Sequence, residues 1–240
     1  MCGRFVLVAE ANGFIVRWLP RISDSELQEL LGRGEIAHIL NNYQVRPTNN
    51  VPVVTSEDGH RRIEVARWGL VPSWWRDSDK FPPTAFNARS ENLSSGMWRG
   101  PVSRSRCLVP ATGFYEWPVK GKGKPPVYIH RKDGQLIAFA GLSDVWQNPT
   151  TGEAVRSCAI VTSAPNEFMA PVHDRMPVLL TDTEAEALWL DPASKKLDDV
   201  AHLLRPLEWE GMTRHWVRPL SSSLDGPELT DPAPEQPVLA

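Results

Sequence analysis

Arg106-Cys107-Leu108-Val109-Pro110-Ala111-Thr112-Gly113-Phe114-Tyr115-Glu116-Trp117 decides the fold. Residues 106–109 and 113–117 are rich in apolar and aromatic side chains and are separated by a step that ends in glycine, so they read as successive strand segments. The pattern continues in both directions. Downstream, residues 127–130, 136–142, 155–162 and 176–180 read as strands, punctuated by Asp133-Gly134 and Asn148-Pro149 turns and by Lys120-Gly121-Lys122-Gly123-Lys124, which reads as a mobile turn. Upstream, residues 51–55 and 61–68 flank Glu57-Asp58-Gly59, a hairpin signal. Residues 43–48 form an extended piece that ends in a proline-fixed turn, and residues 5–8 form a strand.

Helical signals are short and lie between these strands. Ser23-Asp24-Ser25-Glu26 is a capping box ahead of Leu27, Leu30 and Leu31. Residues 94–104, 183–190 and 198–204 read as further helices, and 165–170 as a helical turn or two. Strands joined by hairpins with inserted helices do not alternate as βαβ units would. The expected class is α+β, mainly antiparallel sheet curled into an open barrel-like core with short peripheral helices. One domain over residues 1–220 is expected, followed at 221–240 by a Pro-rich, Ser- and acid-containing tail with little to bury, read as disordered.

The formal net charge is −3 over 240 residues, so the protein's overall field does not mark it as a nucleic-acid binder and any basic site must be local. Of the 26 basic residues 19 are arginine, whose planar fork suits phosphate and stacked bases. The 10 tryptophans fill core space or stack on unpaired bases. Cys2, Cys107 and Cys158 show no paired spacing, and the six histidines show no metal-ligand spacing. A reduced, cytoplasmic monomer without disulfide, metal, cofactor or membrane span is expected.

The N-terminus carries the sharpest chemical possibility. If Met1 is removed from Met1-Cys2-Gly3-Arg4-Phe5, Cys2 offers an α-amine and a thiol on one residue. The amine condenses with an aldehyde and the thiol closes a thiazolidine ring. An α-amine titrates near ~7.7–8.0, so part of it is already nucleophilic at neutral pH. Arg4 places beside it a cation that favours thiolate and attracts anions. On these five residues alone, a cysteine that merely opens a buried strand is the favoured reading.

Four other places carry candidates. In Phe86-Asn87-Ala88-Arg89-Ser90-Glu91, Asn87 can hold a backbone group and Arg89 can grip phosphate, or the segment is an Asx turn. Glu116 lies between aromatics; buried, it becomes a general acid-base, and in an alternating strand it faces water instead. His173 beside Asp174 and Arg175 is an oriented imidazole with a phosphate-binding cation, or a surface-loop histidine. Trp68-Gly69-Leu70-Val71-Pro72-Ser73-Trp74-Trp75 opens a long irregular stretch to residue 87 that also contains Phe81-Pro82-Pro83, and is either a stacking platform or core.

In this order, Met-Cys-Gly-Arg-Phe, Arg46-Pro47-Thr48, Trp68-Gly69-Leu70-Val71-Pro72, Asn87-Ala88-Arg89-Ser90-Glu91, Arg106-Cys107-Leu108-Val109-Pro110 with Gly113-Phe114-Tyr115-Glu116-Trp117, and His173-Asp174-Arg175-Met176-Pro177-Val178 resemble the SRAP family of SOS response-associated peptidases, or abasic-site processing proteins. The resemblance runs from Cys2 to about residue 220. It implies the SRAP fold, loss of Met1, and a thiazolidine crosslink between Cys2 and an abasic site in single-stranded DNA. It also implies self-release of the N-terminal residue and lyase-like activity. Carried over, Cys2, Asn87, Glu116 and His173 are catalytic. Arg4, Pro47, Trp74, Trp75, Arg89, Arg99, Thr162 and Arg175 bind DNA. Thr162-Ser163-Ala164-Pro165-Asn166 departs from the family pattern by its proline, and the loop after Trp74-Trp75 is long. An N-terminal-nucleophile amidase and a non-covalent single-strand binder are the rival readings.

Overall fold

A computed structural model describes residues 2–32, 34–77, 85–94, 96–118, 125–221 and 224–234. The Phe81-Pro82-Pro83 piece and the Lys120–Lys124 turn lie outside them. The chain opens with strand β1 (Phe5–Val8) and passes through helices α1 (Ala11–Trp18), α2 (Asp24–Gly32) and α3 (Glu35–Ile39) to β2 (Asn41–Val45). The hairpin β3 (Asn50–Glu57) and β4 (His60–Trp68) follows, then β5 (Asn87–Arg89), α4 (Arg99–Arg104), β6 (Arg106–Ala111) and β7 (Gly113–Glu116). The remainder is β8 (Val127–Arg131), β9 (Ile137–Gln147), β10 (Ala154–Ser163), β11 (Met176–Pro177), β12 (Leu179–Leu180), α5 (Thr183–Leu190), α6 (Leu197–Val200) and β13 (Met212–Trp216).

The α+β class holds, and the barrel is closed rather than open. β10, β4, β3, β6 and β9 are joined in that order, and β9 pairs again with β10 over seven residue pairs from Ala154↔Gln147 to Ile160↔Gly141. Only the β10–β4 joint of the ring is parallel. A second, antiparallel sheet has the order β13-β8-β7-β1-β2. The β3–β4 turn takes positive φ at both Asp58 (51°) and Gly59 (78°), the geometry that matches the twist of a tight hairpin.

The stretch quoted first crosses between the two sheets. β6 belongs to the barrel and β7 to the second sheet, and the switch occurs at Thr112. Its amide donates to the Val6 carbonyl at 2.8 Å, and its hydroxyl accepts from the Val8 amide at 2.9 Å. Gly113 is required there: a Cβ would sit 2.6 Å from both the Ile129 carbonyl and the Tyr128 hydroxyl. Across the layers, Phe5 of β1 packs on Trp68 and Phe139 of the barrel at 5.0 and 5.9 Å, and Phe114 packs on Phe139 at 5.8 Å. This aromatic seam fixes the segment before β1, and with it Cys2, between the sheets.

Several elements differ from the sequence reading. α1 was not signalled because its N-cap is Glu10, whose carboxylate accepts from the Asn12 and Gly13 amides, rather than a short polar residue. α3 also carried no signal, having no side-chain cap. β13, Met-Thr-Arg-His-Trp, lacks alternation. The helix expected over 94–104 is shortened to α4, since Gly96 takes φ 54° just ahead of it. The expected disorder from Ser221 does not hold through 224–234. Leu229 is buried, Val217 bridges Pro232, and the Ala233 amide donates to the Trp216 carbonyl. An expectation of disorder built on composition missed this because the anchors are mostly backbone groups.

Candidate active site

Cys2 is buried immediately before β1. Its carbonyl accepts a 2.8 Å hydrogen bond from Asn87 Nδ2. Asn87 is positioned by β5, which lies parallel along β10 with Asn87 opposite Ile160, and by Phe86, whose carbonyl takes the Trp68 indole N–H. The other amide atom, Asn87 Oδ1, is buried and has no hydrogen-bond partner among the described residues.

Glu116 ends β7 and is 1 % exposed. Side chains alternate along a strand, so Phe114 and Glu116 share the face turned to the barrel while Tyr115 and Trp117 share the other. Both faces are covered at this point, the second by Tyr128 and the 224–234 segment through the Tyr115 hydroxyl. The water-facing reading of Glu116 therefore fails. Burial raises its pKa to about 7, opposed by the Trp117 amide and reinforced by the negative charge of Asp174.

His173 Nε2 faces Glu116 Oε2 at 4.0 Å. Its Nδ1 takes the Arg175 amide N–H at 3.0 Å and lies 2.8 Å from Asp174 Oδ1. Burial lowers the imidazole pKa, and Asp174 partly counters this. The Cys2 thiol is pushed far up by burial, with a further rise from the charge of Glu116 and a smaller opposing effect of the Arg4 amide. The expectation that Arg4 favours a resting thiolate is thus corrected. The Arg4 guanidinium donates to Gln44 Oε1 at 2.6 Å and lies 5.9 Å from the Trp117 ring.

The DNA-binding candidates divide by exposure. Trp74 is 56 % exposed, whereas Trp75 is half-buried, with its carbonyl taking the Trp146 indole N–H. Arg89 and Arg99 are exposed, and Pro47 is half-buried in a turn whose next residue, Thr48, has φ 79°. Arg175 and Thr162 are engaged within the protein. The Arg175 guanidinium is bidentate on Glu91 at 2.7 and 3.0 Å and also donates to the carbonyl and hydroxyl of the fully buried Thr162. Two residues were missed: Trp117, 39 % exposed, which strand alternation places opposite Glu116, and the buried Gln44, which carried no sequence signal.

The family model for SOS response associated peptidase (SRAP) matches residues 1–222. The chain belongs to the SRAP family. It is 37 % identical over 235 residues, 96 % of this chain and 99 % of the relative, to the abasic site processing protein YoqW of Bacillus subtilis. To the abasic site processing protein HMCES of Gallus gallus it is 32 % identical over 196 residues, covering 69 % of this chain and 58 % of that one. A crystal structure of a protein from Bacteroides thetaiotaomicron superposes with TM-score 0.81 at 29 % identity, over 97 % of this chain and all of that one. The SRAP domain therefore includes both sheets and the cluster of Cys2, Asn87, Glu116 and His173. Among the described residues no His, Cys, Asp and Glu side chains group to hold a metal ion, and no helix is long and apolar enough to cross a membrane.

Proposed function

We propose that this SRAP protein processes abasic sites in single-stranded DNA by trapping the ring-opened aldehyde on Cys2 once Met1 is removed. The names of the relatives support the substrate. The observation that carries the chemistry is a buried Cys2 whose carbonyl is gripped by Asn87 and whose thiol senses the Glu116 carboxylate.

The freed α-amine adds to the aldehyde carbon, and loss of water from the carbinolamine gives an imine. The thiol then adds across C=N, forming the C–S bond while its proton passes to nitrogen. One water leaves overall. A carboxyl with a pKa about 7 both gives a proton to the departing hydroxyl and accepts one from a thiol that burial keeps protonated. His173, held neutral by burial, assists opening of the deoxyribose ring. Asn87 Oδ1 is an acceptor suited to an N–H of the freed amine. Trp74, Trp117, Arg89 and Arg99 supply stacking and phosphate contacts.

Hydrolysis of the Met1–Cys2 bond, which consumes one water, would use the same four residues. Strand cleavage by elimination from the imine would compete with ring closure. The exposed Trp and Arg side chains favour this reading over an amidase, which needs no DNA surface.

Cys2→Ser separates the two steps, because serine keeps the amine and replaces the thiol. The expected product with abasic DNA is an imine, captured only when borohydride is present. A stable adduct from Cys2→Ser without reductant would overturn the thiazolidine step.

A further inference from the structure

Gln44 is a buried amide at the edge of the second sheet, and both of its ends are committed. Its Nε2 donates to the Ser221 and Leu224 carbonyls. Its Oε1 accepts from Arg4 at 2.6 Å and from Arg46 at 3.2 Å. Two carbonyls on one side and two guanidinium groups on the other leave the amide a single satisfactory orientation.

Two arginines converging on one neutral oxygen is an uncompensated arrangement. Among the described residues no carboxylate pairs with Arg4 or Arg46, and Arg4 Nε is buried without a partner. Burial lowers the Arg4 pKa, and the neighbouring charge of Arg46 adds to that lowering. A guanidinium carries five donors, so most of those on this pair remain available. Planar forks of this kind fit phosphate oxygens. Arg4 stands two residues from Cys2 and beside Trp117, which follows Glu116.

The segment that sets Gln44 reaches beyond the family match, which ends at residue 222. It is clipped across the second sheet: the Asp225 carboxylate accepts the Tyr43 amide of β2 at 2.7 Å, the Leu229 carbonyl receives the Tyr115 hydroxyl of β7, and the Thr230 carbonyl meets His215 Nε2 of β13 at 2.8 Å.

We propose that Arg4 and Arg46 form a paired phosphate site for single-stranded DNA next to Cys2, that Gln44 is its positioning residue, and that residues 224–234 complete it by fixing Gln44. This rests on the proposed DNA function and adds to it a second cation, its orienting amide and a C-terminal strap.

The test is the salt dependence of binding to a fluorescein-labelled oligothymidylate with no abasic site, followed by anisotropy across a potassium chloride series. Each phosphate contact on single strands contributes about 0.7 to the log–log slope. Arg46→Gln is expected to flatten the slope by about 0.7. Gln44→Leu leaves both arginines in place but removes their shared oxygen, and is expected to flatten it by about 0.7 to 1.4. Asp225→Ala, which frees the strap from β2, is expected to act in the same direction as Gln44→Leu. A purely structural role for Gln44 would lower the melting temperature without changing the slope. Wild-type slopes in folded Arg46→Gln and Asp225→Ala overturn the proposal, even if Gln44→Leu does not fold. Crosslinking of wild-type protein to abasic DNA is run in parallel. Failure there counts against the covalent reading, while the slopes on intact DNA still judge the phosphate site.

Discussion

His173 Nε2 and Glu116 Oε2 lie 4.0 Å apart, beyond hydrogen-bond length and within reach of each other's charge. Burial moves their pKa values in opposite senses, the carboxyl up to about 7 and the imidazole down. Near neutral pH the imidazole is therefore neutral and the carboxyl close to half-protonated, so that its proton can be given up and regained.

Glu116→Gln tests that state through stability. A carboxyl whose folded pKa is raised from 4.5 to about 7 contributes stability fully present below pH 4.5 and lost as pH rises through 7. The glutamine variant does not ionise. Relative to wild type it is expected to gain about 3 kcal/mol between pH 4 and pH 8 in urea unfolding, while crosslinking slows at neutral pH. An equal stability difference at both pH values would contradict a raised Glu116.

Asp174→Asn tests the electrostatics around the pair. The Asp174 charge raises both the Glu116 and the His173 pKa, so its removal is expected to move both limbs of the crosslinking pH profile to lower pH. The side chain is 76 % exposed, so the shift is small and falls with added salt. A profile moved upward would place Asp174 in a different role.

Asn87→Ala removes the donor to the Cys2 carbonyl. Loss of a positioning hydrogen bond of about 1–3 kcal/mol is expected to slow crosslinking roughly 10–100-fold while Arg89-dependent DNA affinity persists. Single-turnover crosslinking at saturating DNA measures this, and an unchanged rate would remove Asn87 from the site.

Trp74→Ala and Arg89→Ala weaken DNA binding by different routes. The exposed indole is expected to contribute about 1–3 kcal/mol of stacking without altering the salt slope. The arginine is expected to flatten the slope by about 0.7. Anisotropy titrations at two or more salt concentrations separate the two, and a salt-dependent Trp74 effect would argue against stacking.

Much of the barrel was legible because its strands carry continuous apolar runs and its hairpin turn carries Asp58-Gly59, whose positive φ values the residue types announce. Barrel closure was not legible, since β9 meets β10 at long range along a register that no local pattern encodes. Local reading singled out Cys2, Asn87, Glu116 and His173 but left a structural alternative beside each, for Glu116 because alternation says nothing of whether both faces of β7 are covered; the family resemblance is what favoured the catalytic reading. The ion pair of Arg175 was not legible either. Its neighbour Asp174 is near in sequence, but its ion-pair partner Glu91 is 84 residues away. Gln44 was silent because a single amide in a short strand has meaning only once Arg4, Arg46 and the 224–234 segment converge on it.

The most direct measurement is the intact mass of the purified protein before and after incubation with single-stranded DNA bearing one abasic site, without reductant. The expected starting mass lacks methionine, and the expected product is protein plus DNA less one water. A chain lacking Met1 that forms no adduct would contradict aldehyde trapping by Cys2.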